Sequence, residues 1–184
     1  MTIPTPTSHR DESGPDELAS YLDHTLLRPD ARAVDVDRLC AEALEHHFAT
    51  VCVNGIWVRR CAEALAGSPV GTCSVVSFPL GACVTSVKAD AARRAIEAGA
   101  SEIDMVLNLG AMRSGDLVLV QADVAELAQV CRAGGALLKV ILETSLLTDD
   151  EIVQACRLSQ AAGADFVKTS TGFSSAGATE QHWP

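Results

Sequence analysis

The sequence predicts an α/β fold with a parallel sheet, and three observations carry that prediction. From Leu18 onward, short β-rich runs alternate with amphipathic helical stretches, and Gly, Ser or Asp marks the breaks. Strands separated by helices at this period indicate βαβ units. In several strands the alternate residues are polar while their neighbours are apolar. A closed barrel collects such polar side chains at its mouth, whereas an open doubly wound sheet carries helices on both faces and should be apolar on both. No G-x-G-x-x-G or P-loop is present to support nucleotide binding in an open sheet.

The elements follow in order. Strands are expected near Tyr21–Thr25, Ala49–Asn54, Gly71–Phe78, Glu102–Asn108, Leu137–Thr144 and Phe166–Thr171. Helices are expected over Val34–His47, Ile56–Leu65, Ser86–Ala98, Asp116–Arg132 and Thr148–Ala162. Gly99 and Gly163 sit where helices end, and Thr148 with Glu151 forms a capping box. Successive strand residues point to opposite faces. Ile103, Met105 and Leu107 therefore oppose Glu102, Asp104, Val106 and Asn108. Leu138, Val140 and Leu142 oppose Lys139, Ile141 and Glu143, while Val51 and Val53 oppose Thr50, Cys52 and Asn54. Lys168 and Ser170 share a face, with Val167 on the other. The apolar sets suit the layer beneath the helices.

Composition narrows the function classes. The chain has 184 residues, a formal charge of −10 and only 4% aromatic residues. An acidic chain lacks the basic face that nucleic acid requires. No apolar run approaches the roughly 18–20 residues of a membrane span, and nothing N-terminal reads as a signal peptide. Residues 1–17 are rich in Pro, Thr, Ser, Asp and Glu and read as a disordered leader to a domain over 18–184. Seven cysteines, an odd number without a C-x-x-C pair, fit a reducing, cytoplasmic location. His46-His47 reads as a helix-end surface pair, because adjacent helical residues do not face one ligand.

The cations are sharper. Of 14 basic residues, only Lys88, Lys139 and Lys168 are lysines. Asp104, Lys139, Glu143 and Lys168 are expected to converge with Asp23 and Asn54 near the C-terminal strand ends, where barrel enzymes place their sites. A partly buried lysine beside another cation has its pKa pushed down and becomes an amine nucleophile, a role closed to arginine. Its product with a carbonyl substrate is a Schiff base. The alternative is a set of buried ion pairs, Lys139 with Glu143 or Lys168 with Asp104. Lys88, at the start of a helical stretch, reads as a surface residue.

Five segments resemble the deoxyribose-phosphate aldolase family, class I Schiff-base aldolases on a (β/α)8 TIM barrel. They are LDHTLLRPDA (22–31), VCVN (51–54), the run from Phe78 to Asp116 containing EIDMVLN, LKVILETSLLTDDEI (138–152) and GADFVKTSTGF (163–173). They occur in the family's order, and the strand-borne K-T-S-T-G is highly specific. The resemblance implies that Lys168 is the Schiff-base lysine, that Asp104 is the acidic member of its proton relay and that Lys139 tunes Lys168. It implies a pocket lined by Asp23 and Cys52, and contacts from Ser170, Thr171 and Gly172. It further implies reversible cleavage of 2-deoxyribose 5-phosphate to acetaldehyde and glyceraldehyde 3-phosphate, a small phosphorylated sugar as partner, and no metal or organic cofactor.

Two departures stand out. Gly55 follows V-C-V-N where the family usually has Pro. Only about six of the eight β/α units are expected here, and the family's G-G-I-R-type segment and G-T-S-S-G-type phosphate loop are absent from the sequence. A C-terminally truncated aldolase is therefore expected. Alternatives are a homo-oligomer in which a second copy covers the open side, and a catalytically impaired or non-catalytic assembly remnant.

Overall fold

The computed structural model describes residues 18–179. The expected leader over 1–17 lies outside the described residues. Six strands, β1 Asp23–Leu26, β2 Thr50–Val53, β3 Gly71–Val76, β4 Glu102–Val106, β5 Leu137–Ile141 and β6 Phe166–Lys168, form one sheet in sequential order. Every neighbouring pair is parallel. The helices between them are α1 Ala33–Glu45, α2 Val58–Ala64, α3 Thr85–Glu97, α4 Leu109–Arg113, α5 Leu117–Gly134 and α6 Asp149–Ala162. This is six units of a (β/α) barrel, with β1 and β6 as its edges among the described residues.

The expected two-faced strands account for the layering. Val51, Val53, Ile103, Met105, Leu138 and Val140 are fully buried in the core shared with the helices. Opposite them lie Val36 of α1, Cys61 of α2, Ala92 of α3, Val120, Val124 and Leu127 of α5 and Ala155 of α6. Truncating one such leucine to alanine costs about 2–5 kcal/mol. The capping box at Thr148 forms as expected, with Glu151 Oε2 accepting from the Thr148 amide at 2.7 Å. The short α4 was not expected, since it contains Gly110. Asn108 caps it instead, its Oδ1 accepting from the Ala111 amide at 3.1 Å.

Lys88 corrects the sequence reading. It is fully buried, not a surface residue, and donates to Asp123 of α5 at 2.5 Å and to the Val106 carbonyl at 3.1 Å. A hydrophobic-period argument missed it because its partner lies 35 residues away. At the sheet edge, Phe166 and Val167 of β6 are 54% and 46% exposed, so neither face of that strand is covered. A groove of about 550 Å³ between α6 and β6 is lined by Leu142, Ile152, Val153, Cys156 and Val167.

Candidate active site

Strand register brings the charged residues together. Asp104 is paired with Lys139 across β4 and β5, and Ile141 with Lys168 across β5 and β6. In-register neighbours point the same way, so the even spacing along β5 puts Lys139 and Lys168 on the interior face. Lys168 Nζ donates to Asp104 Oδ2 at 3.0 Å. Lys139 Nζ reaches Asp23 Oδ2 at 2.8 Å, Glu102 Oε2 at 3.1 Å and Asp104 Oδ1 at 3.2 Å. Thr50 Oγ1 donates to the other Asp23 oxygen at 2.7 Å. Asp104, fully buried, thus stands between the two lysines.

The electrostatics overturn one expectation. Burial pulls the Lys168 ammonium toward neutrality, and Lys139 adds to that pull, but Asp104, with Cys52, outweighs them and holds Lys168 above the ordinary lysine range. Lys139 is likewise opposed by burial yet raised, by Asp104, Cys73 and Asp23. Asp104 is the raising influence common to both amines, and it contacts each of them. Burial and a neighbouring cation alone would lower Lys168, but the adjacent Asp104 carboxylate reverses the sign. Asp23 is penalised by burial and still lowered overall, through its hydrogen bonds from Lys139 and Thr50. Ion pairing and proton transfer are not exclusive here, since Asp104 contacts both amines.

Other expected residues take different places. Glu143 does not pair with Lys139. It sits in the left-handed region at φ 53°, fully buried, and its carboxylate accepts from the Thr171 amide at 3.2 Å and from the Thr171 hydroxyl. That tie ends β6 at Lys168 and turns Thr169–Thr171 into loop, where Phe166–Thr171 was expected as strand. Ser170 Oγ donates to Thr169 Oγ1 at 3.1 Å, and Gly172 follows with φ 82°. Asn54 is spent on the loop after β1, donating to the Leu27 carbonyl at 3.1 Å. Cys52 is fully buried beside Cys73, Val75 and Leu27. Glu102 and Thr50 were missed as members of the cluster, although their strand parity already placed them on its face.

A lysine on the last described strand, its side chain 29% exposed and its amine held by a fully buried carboxylate, can meet a carbonyl from solvent and exchange protons inside the barrel. Fold and site together are those of a (β/α)-barrel protein with a lysine–carboxylate cluster in the barrel interior. The model of the DeoC/LacD family aldolases matches residues 17–183. The deoxyribose-phosphate aldolase of Brevibacillus brevis is 60% identical over 162 residues, covering 88% of this chain and 72% of that protein. That of Streptococcus gordonii is 53% identical over 163 residues, covering 89% and 73%. A solved chain from Coccidioides immitis superposes with a TM-score of 0.88 at 44% identity, covering 91% of this chain and 65% of that one. The tetrameric deoxyribose phosphate aldolase of Aeropyrum pernix gives a TM-score of 0.81 at 36% identity, covering 87% and 67%. The chain belongs to the DeoC/LacD aldolase family, and spans between 65% and 73% of the length of these relatives.

Proposed function

We propose that this chain cleaves 2-deoxy-D-ribose 5-phosphate reversibly to D-glyceraldehyde 3-phosphate and acetaldehyde, with Lys168 as Schiff-base nucleophile and Asp104 as its proton-transfer partner. The observation that carries the reading is the 3.0 Å contact between Lys168 Nζ and the fully buried Asp104 carboxylate at the C-terminal end of a parallel strand. Lys168 rests as an ammonium, so a proton must leave before attack, and Asp104 is the nearest acceptor. The amine adds to C1 of the open-chain sugar, and water leaves as the iminium forms. The iminium withdraws the electron pair of the C2–C3 bond. That bond breaks to an enamine while the C3 hydroxyl gives up its proton and becomes the aldehyde of glyceraldehyde 3-phosphate. Protonation at C2 and hydrolysis then release acetaldehyde and free the amine. A positioned acid/base contributes typically 10²–10⁴-fold to such steps.

Lys139, on this reading, sets the charge around Asp104, and Asp23, Cys52 and Asn54 belong to the walls or supports of the pocket. Ser170 and Gly172 would offer hydroxyl and backbone contacts to the sugar phosphate, with Thr171, tied to Glu143, positioning them. The reading includes a cytoplasmic enzyme and a homo-oligomer; support for these is that no helix among the described residues is long and apolar enough to cross a membrane, and that the Aeropyrum pernix relative is tetrameric.

Acetaldehyde with borohydride tests the chemistry. An ethyl group on the Lys168 peptide, lost in Lys168→Arg, is the expected mass-spectrometric result. A folded preparation that takes no adduct at Lys168 would sink the proposal.

A further inference from the structure

Two thiols stand beside Asp104 in the barrel interior, and the proposed reaction uses neither as a reacting group. Cys52 and Cys73 are in-register neighbours on β2 and β3, and both are fully buried. Their sulfurs and a carboxylate oxygen of Asp104 all lie within 4.8 Å of one another. Asp104 Oδ1 has no hydrogen-bond partner, although Lys139 Nζ stands 3.2 Å away. Among the described residues this is the cluster that offers three such donors together.

We propose that Cys52, Cys73 and Asp104 bind a thiophilic divalent cation of the Zn²⁺ or Cd²⁺ type, and that the bound ion inhibits rather than assists the lysine chemistry. Two thiolates and a carboxylate suit tetrahedral coordination, with water in the fourth position. Zinc–sulfur bonds of about 2.3 Å hold two sulfurs on the order of 3.8 Å apart. Adjacent strands about 4.8 Å apart bring in-register side chains within reach of that spacing.

Charge balance favours the exchange. Each thiol loses one proton on binding, so two positive charges leave as the cation brings two. The cluster of three carboxylates and two ammonium groups keeps its net charge. What changes is the partner of Asp104. Ligated through Oδ1, Asp104 still meets Lys168 through Oδ2, but its charge is drawn toward the cation and it takes up a proton less readily. Imine formation and metal binding then compete for one carboxylate.

Cadmium titration into the reduced full chain, without chelator, tests this optically and independently of any aldol activity. The expected result is a thiolate-to-cadmium charge-transfer band saturating at one ion per chain. Cys73→Ser and Asp104→Asn should each weaken binding at least about tenfold, as loss of a ligand requires. Cys73→Ala serves where the serine variant loses its native circular dichroism. Cys40→Ser, in the helix layer, should leave the band unchanged. Absence of the band in folded protein, its survival in both Cys73 variants, or its loss in Cys40→Ser would each overturn the proposal. Prior cadmium loading should also lower the ethyl adduct at Lys168 at least about tenfold; an adduct undiminished by bound cadmium would refute the inhibitory role, whereas an adduct absent even without cadmium counts against the aldolase reading instead.

Discussion

Replacing Lys88 by Met should be among the most damaging single changes in this chain. The perturbation keeps the side chain's length and removes only the ammonium. Lys88 is fully buried and donates to Asp123 at 2.5 Å and to the Val106 carbonyl at 3.1 Å. Asp123 is also buried, and its second oxygen already lacks a hydrogen-bond partner. Lys88→Met therefore strands a carboxylate in the layer between α3 and α5 and removes a donor from the last carbonyl of β4. Breaking a buried pair by removing one partner costs about 3–5 kcal/mol. Domains are stable by about 5–15 kcal/mol in total, so the loss takes about a fifth of that or more. Urea denaturation followed by circular dichroism reads it directly, across wild type, Lys88→Met, Asp123→Leu and the double variant. Each single variant should lose about 3–5 kcal/mol, and the double far less, because no unpaired charge remains. A Lys88→Met variant within about 1 kcal/mol of wild type, or a double variant as weak as the two singles combined, would refute the reasoning.

Three further outcomes are expected. Glu143→Ala removes the acceptor for the Thr171 amide and hydroxyl; stability should fall by about 1–3 kcal/mol, and hydrogen exchange at the Thr171 amide should accelerate. In Gly81→Ala the new methyl would fall 2.0 Å from the Leu107 carbonyl oxygen, in a left-handed backbone at φ +68°, so thermal unfolding should show a loss of about 3 kcal/mol. Thermal stability should decline on both sides of neutrality. Asp23 is lowered on folding, so its contribution is present above its unfolded value near 3.9 and is lost as pH falls. Lys139 and Lys168 are raised, so theirs is present below about 10.4 and is lost as pH climbs through the folded values. A Lys139→Met variant should show both declines reduced, and unchanged slopes would refute the assignment.

Much of the layout was legible because parity needs no distances. Alternation in EIDMV and LLKVI already separated Asp104 and Lys139 from the buried aliphatics, and the register bears that out. Parity does not say which opposite charges meet. Lys139 passes over Glu143, four residues on, and takes Asp23, 116 residues away in the chain. The direction of the Lys168 shift also escaped, because it depends on Asp104 and Cys52, which two other strands bring to the amine. Lys88 failed for a related reason: a lysine in a helical stretch looks solvated until its counter-ion on another helix is known. The left-handed Glu143 had no local cue, since glycine is the usual occupant of that conformation.

The contact between Asp23 and Lys139 joins β1 to β5, strands three places removed from adjacency in the sheet. Backbone ladders link each strand only to the next and tolerate a range of twist. The ion pair acts instead as a chord drawn across an arc, fixing how far the arc bends. Its ends are 14% and 21% exposed, so salt screens it only in part while acid releases it at Asp23. Protonating one carboxylate should therefore let the sheet uncurl, and the spacing of its two rims becomes a quantity set by pH.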